Sequence, residues 1–157
     1  MISVEERLAI MDLYAEYAAA IDEFRLDDWL SLFAPTCSYK IVPRENFDRG
    51  LPLALVLCES KDMLHDRVLA LQQANEFDIH TDRHLISGIR FRTRESESIR
   101  VQADFSVFRC DSEGQASLYA VGRYIDVIHI NGVQTKFLDK TVVLDNFCVP
   151  HAISTPL

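Results

Sequence analysis

The chain has 157 residues, 48% hydrophobic and 25% charged, which is the length of one domain able to bury a core without covalent staples. A formal net charge of −8 excludes a basic nucleic-acid groove. There is no apolar run of about 18 residues to span a membrane, and the acidic, amphipathic start "MISVEERLAIMDLYAEY" does not read as a secretory signal.

Residues 4–24 predict a long helix, with Leu8, Met11, Tyr14, Ala15, Ala18 and Ile21 as its inward stripe. Ser3 and Glu6 have the spacing of a capping box. Residues 27–33 predict a short second helix, capped by Asp27, anchored by Trp29 and stopped by Pro35. "CSYKIV" (37–42) has strand character, "PRENFDRG" (43–50) reads as a turn or excursion, and the apolar "LPLALVLCES" (51–60) can extend as a strand. Ser60 then offers an N-cap to a third helix over 61–77, buried through Met63, Leu64, Val68 and Leu71.

From there the apolar period changes to two. Residues 83–94, 98–110, 117–130 and 133–145 predict four long strands, with turns at "DSEG" (111–114) and "NG" (131–132). Arg90, Arg92, Arg94 and Arg100 alternate on two of these strands and predict one charged sheet face. Helices followed by an antiparallel meander make an α+β fold, in which a strongly curved sheet wraps the N-terminal helices as a cone. The expected organisation is a single domain over residues 1–157.

The histidines raise the question of a site. Asp62, His65, His80 and His84 supply the ligand types of a two-histidine, one-carboxylate iron triad. Nothing in their spacing makes them converge, so no metal is expected. "CVPH", Cys148 to His151, matches half of a Rieske cluster signature, and the other half is absent from the chain. Cys37, Cys58, Cys110 and Cys148 form no CxxC pair, so reduced, buried thiols in a cytoplasmic protein are expected. An acid–base pair stays open as an alternative. Asp22, at the end of the first helix, and His84, on the first meander strand, can meet near Tyr14 and tune an imidazole for proton transfer. A ligand-binding or dimerisation module without chemistry is a third class.

Taken together, "YAAAIDEFRLDDWLSLFAPTCSYKIVPREN", "ESKDMLHDRVLALQQANEF", "DRHLISGI" and "LDKTVVLDNF" resemble the small (beta) subunit of bacterial Rieske-type aromatic-ring-hydroxylating dioxygenases. The nearer likeness is to the aromatic-carboxylate subgroup. The resemblance covers nearly the whole chain and implies a cystatin-like cone. It implies a structural subunit with no catalytic residue, cofactor or metal of its own. The Rieske cluster and mononuclear iron would sit in a large alpha subunit, and the small subunits would self-associate as a trimer within a three-plus-three assembly. Arg83 and His84 would then orient the first meander strand by pairing with neighbouring carboxylates. The alternative is a stand-alone cone-fold dehydratase or cyclase using Asp22, His84 and Tyr14.

Overall fold

A computed structural model describes residues 1–73, 79–146 and 153–157. Helix α1 runs Val4–Asp22 and α2 Leu26–Ser31, followed by strand β1 over Phe33–Pro43. A one-turn helix α3 (Arg44–Asp48), a short strand β2 (Val56–Cys58) and helix α4 (Lys61–Gln73) lead to the meander. Its strands are β3 (His80–Glu95), β4 (Ser98–Asp111), β5 (Ala116–Ile130) and β6 (Thr135–Leu144). One curled six-stranded sheet results, in the order β2-β1-β6-β5-β4-β3.

The four predicted strands pair sequentially and antiparallel as expected. Asn131 and Gly132 make the β5–β6 turn, where Gly132 takes φ 79. Strand β1 lies parallel to β6, so the first strand closes on the last. Gly122 on β5 sits where the backbones come close: a Cβ there would fall 2.0 Å from the carbonyl oxygen of Val143.

Helix α1 begins as its sequence predicts. The Ser3 hydroxyl accepts from the Glu6 N–H, and the Glu6 carboxylate accepts from the Ser3 N–H. It ends with Phe24 in the left-handed region (φ 56), while the Arg25 N–H reaches back to the Ala20 carbonyl at 2.8 Å. Its buried face differs from the predicted stripe. Ile10, Leu13, Tyr14, Tyr17, Ala20 and Ile21 are buried, whereas Leu8 and Met11 are 54% and 48% exposed. Ala15 is exposed as well. The helix carries apolar residues on two sides, so periodicity alone could not choose between them.

Other boundaries move for local reasons. Arg25, not Asp27, occupies the N-cap of α2, and its guanidinium spreads across Glu16, Glu23 and Asp28. Pro35 lies within β1 rather than stopping the helix. Of 51–60, only Val56–Cys58 pairs as strand. Ser60 caps α4 as predicted, accepting from the Met63 N–H, but Met63 itself is exposed. The arginines do not share one face. Arg90 and Arg92 bond Asp104 and Gln102 on the outer side, whereas a register shift between Phe91 and Arg94 turns Arg94 inward to Glu6.

The core is aromatic. Trp29, Phe33 and Tyr39 pack edge to face, and Phe137 joins them to Tyr14 and Tyr17. Trp29 is wholly buried, as its anchoring role requires. Cys37 and Cys58 are buried free thiols and Cys110 is half-buried.

Candidate functional site

Three polar clusters lie against this core. The first joins the end of α1 to the start of β3. The Asp22 carboxylate accepts from the His84 backbone N–H at 2.9 Å and lies 2.6 Å from His84 Nδ1. The His84 and Asp22 side chains are 0% and 3% exposed. Strand β3 is a sheet edge, so one carboxylate both satisfies an edge amide and orients the imidazole. His84 Nε2 has no hydrogen-bond partner among the described residues. The predicted Asp22–His84 pair thus forms.

Tyr14 does not join them. Its hydroxyl donates to Asp126 Oδ2 at 2.5 Å, in a second cluster that sequence reasoning missed. There the Lys140 ammonium lies 3.0 Å from the same oxygen, with both charged side chains wholly buried. Four rings surround the ammonium: it sits 3.5 Å from the Tyr124 centroid, 4.3 Å from Tyr17, 4.6 Å from Phe137 and 5.1 Å from Tyr14. Burial pulls Lys140 down to about 8, against the pull of Asp126. Burial also raises Asp126, and it raises Tyr14, Tyr17 and Tyr124 well above the ordinary phenol range. Asp126 and Lys140 face each other across β5 and β6, both at inward positions.

The third cluster sits at the start of β3. Arg109 holds Asp82 with two hydrogen bonds of 2.7 and 2.8 Å, stacks 3.7 Å over Tyr119, and is 8% exposed. His80 Nε2 lies 3.6 Å from Asp82, and the Thr155 hydroxyl donates to it at 3.4 Å. Residues 153–157 come in beside this cluster. Leu157 is buried, and its carbonyl accepts from the Tyr17 hydroxyl at 2.5 Å. Arg67 meets the Ile153 carbonyl at 3.4 Å. Among the described residues, 153–157 thus pack against Tyr17, Tyr39 and Asp82.

The candidate metal ligands stay apart. His65 and Asp62 are exposed on α4, His80 faces Asp82, and His84 faces Asp22. Among the described residues no group of three His, Cys, Asp or Glu is placed to hold a metal. Cys148 and His151 lie outside the described residues. Arg83 is exposed on the strand rather than paired inward like His84. No helix among the described residues is long and apolar enough to cross a membrane.

Comparison with known proteins matches residues 16–151 to the family described as ring hydroxylating beta subunit. The anthranilate 1,2-dioxygenase small subunit of Burkholderia cepacia is 33% identical over 145 residues, covering 92% of this chain and 90% of that one. A solved beta subunit assigned to an aromatic-ring-hydroxylating dioxygenase of Novosphingobium aromaticivorans superimposes with a TM-score of 0.86 at 34% identity, covering 95% of each chain. A cystatin-like protein from Nostoc punctiforme, 13% identical with a TM-score of 0.70 over 95% of this chain and 97% of that one, shares the fold.

Proposed function

Because the chain belongs to the ring-hydroxylating beta-subunit family, we propose that it is the structural small subunit of an oxygenase acting on an aromatic carboxylate. The observation that carries this is the family match over residues 16–151 together with its agreement in fold. The Rieske cluster and mononuclear iron belong, in this reading, to a large alpha subunit. The donor set that such centres need is not gathered by the described residues of this chain. Residues 1–157 act as one domain, and the complex works in the cytoplasm.

The apolar surface supports an assembly. Leu51, Leu53, Leu55 and Leu57 are all exposed along one segment beside the β2 edge, with Phe47 next to them. Exposed apolar runs of this kind mark protein interfaces. Self-association as a trimer, capped by three large subunits, covers them in a closed ring. Co-expression with the large subunit followed by native mass measurement tests the reading. The expected species holds equal numbers of both chains. A stable monomer that ignores the large subunit ends it.

The Asp22–His84 contact at 2.6 Å favours one second reading, a cone-fold acid–base enzyme. Dehydratase or cyclase turnover by the chain alone, lost in Asp22→Asn, would support that reading over the first.

A further inference from the structure

Residues 153–157, Ile-Ser-Thr-Pro-Leu, belong to no helix or strand, and the six-stranded sheet is complete without them. Among the described residues they make no backbone–backbone hydrogen bond to the rest of the chain. Side chains hold them instead. The Leu157 N–H donates to the Tyr39 hydroxyl at 3.1 Å. The Leu157 carbonyl accepts from the Tyr17 hydroxyl at 2.5 Å and from Tyr39 at 3.4 Å. Arg67 donates to the Ile153 and Ser154 carbonyls at 3.4 and 3.5 Å, and the Thr155 hydroxyl donates to Asp82 at 3.4 Å. Four of these six bonds are 3.4 Å or longer, past the ordinary range, so each contributes little. Apolar burial supplies the rest: Leu157 is 0% exposed and joins the core.

The groups that grip the segment come from four elements: Tyr17 on α1, Tyr39 on β1, Arg67 on α4 and Asp82 on β3. Three of them are fixed by other partners. Tyr17 packs on Trp29 and Phe137, Tyr39 packs on Trp29 and Phe33, and Arg109 clamps Asp82. The site therefore keeps its shape when the segment leaves. One apolar pocket takes a side chain, and polar groups around it read the backbone, as in a peptide receptor.

We propose that residues 153–157 are a peptide ligand bound in cis, and that the site beneath them is a peptide-binding site. Its ligand is a short peptide with leucine at the pocket position and a hydroxyl residue two positions before it. The segment opens and closes while the sheet stays folded. The inference goes beyond the subunit reading and does not depend on it.

Two measurements test it. The first is native-state amide exchange on the full-length chain. The Leu157 amide should exchange at least about tenfold faster than the β5–β6 ladder amides, at a rate that low urea leaves unchanged. Exchange at the ladder rate with the ladder's urea dependence overturns the proposal, since the segment would then leave only on global unfolding. The second uses the full-length variant Leu157→Asp, whose charge cannot stay in the pocket. Titrated with the acetylated peptide Ile-Ser-Thr-Pro-Leu, it should bind saturably. The native chain should not, because its own segment competes at an effective concentration in the millimolar range, roughly. A peptide with alanine for the leucine should bind at least about thirtyfold more weakly. Adding Tyr39→Phe to the variant should weaken binding about tenfold, the worth of one hydrogen bond. A folded Leu157→Asp chain that ignores the peptide overturns the proposal, as does a native chain that binds it equally well. If Leu157→Asp fails to fold, Leu157→Ala takes its place, and the exchange measurement, which needs no variant, decides alone.

Discussion

Asp126 and Lys140 stand directly opposite each other on β5 and β6, 3.0 Å apart and out of reach of water. Removing one partner strands the other charge in the core, whereas removing both does not. Lys140→Met should therefore cost about 3–5 kcal/mol. The double variant Asp126→Asn, Lys140→Met keeps an acceptor for the Tyr14 hydroxyl and should recover most of that loss. Urea unfolding of the single and double variants checks both values.

The same lysine sets a pH dependence. Its folded value, about 8, lies below the 10.5 of the free side chain. Between those values the unfolded chain holds a proton that the folded chain has released, so the Lys140 contribution to stability rises with pH. Below about pH 8 both states hold the proton and the contribution is flat. The unfolding free energy of the native protein minus that of Lys140→Met should accordingly climb between pH 8 and 10. A difference that falls over this window contradicts the assignment.

Adjacent residues on α1 should behave oppositely. Ile10 is wholly buried and Met11 is half-exposed. Ile10→Ala should cost about 2–5 kcal/mol. Met11→Ala should stay within about 0.5 kcal/mol, as a surface substitution. Thermal or chemical unfolding of the two variants separates them.

Gly122→Ala should be severe although it adds one methyl group. The new Cβ meets the Val143 carbonyl oxygen at 2.0 Å and its carbon at 3.0 Å, and backbone cannot swing aside as a side chain does. A loss of about 3 kcal/mol is expected. Amide exchange should quicken along the β5–β6 ladder before it quickens in α1.

Within the proposed complex, Asp22→Asn and His84→Gln should leave oxygenase turnover per assembled complex unchanged, since neither residue is placed to hold the iron. Their cost should appear as lowered yield of assembly or faster exchange of the β3 edge amides. Loss of turnover in a complex of undiminished mass would put chemistry in this chain.

Much of this architecture was legible because one signal dominated. Residues 98–107 alternate strictly between polar and apolar, and Asn131-Gly132 marks the turn that follows β5, so the meander followed from period and turn chemistry. The face of α1 was not legible, because Leu8 and Met11 are as apolar as Ile10 and Leu13; tertiary packing decided between them. Arg94 faced inward because a bulge, invisible in the residue pattern, shifted its register. Asp22 and His84 could be paired from their residue types and elements. Asp126 and Lys140 could not, since charged residues in alternating strands ordinarily read as the outer face.

The parallel pairing of β1 with β6 puts Phe33 beside Phe137. During synthesis the ribosome delivers Tyr17, Trp29, Phe33 and Tyr39 long before Phe137 and Lys140 exist to cover them. Early chains therefore carry an aromatic cluster waiting for its last strand, and non-local closure of this kind is slow and aggregation-exposed. A nascent chain arrested before residue 135 should be a chaperone client, released only when β6 emerges and joins β1 to the meander.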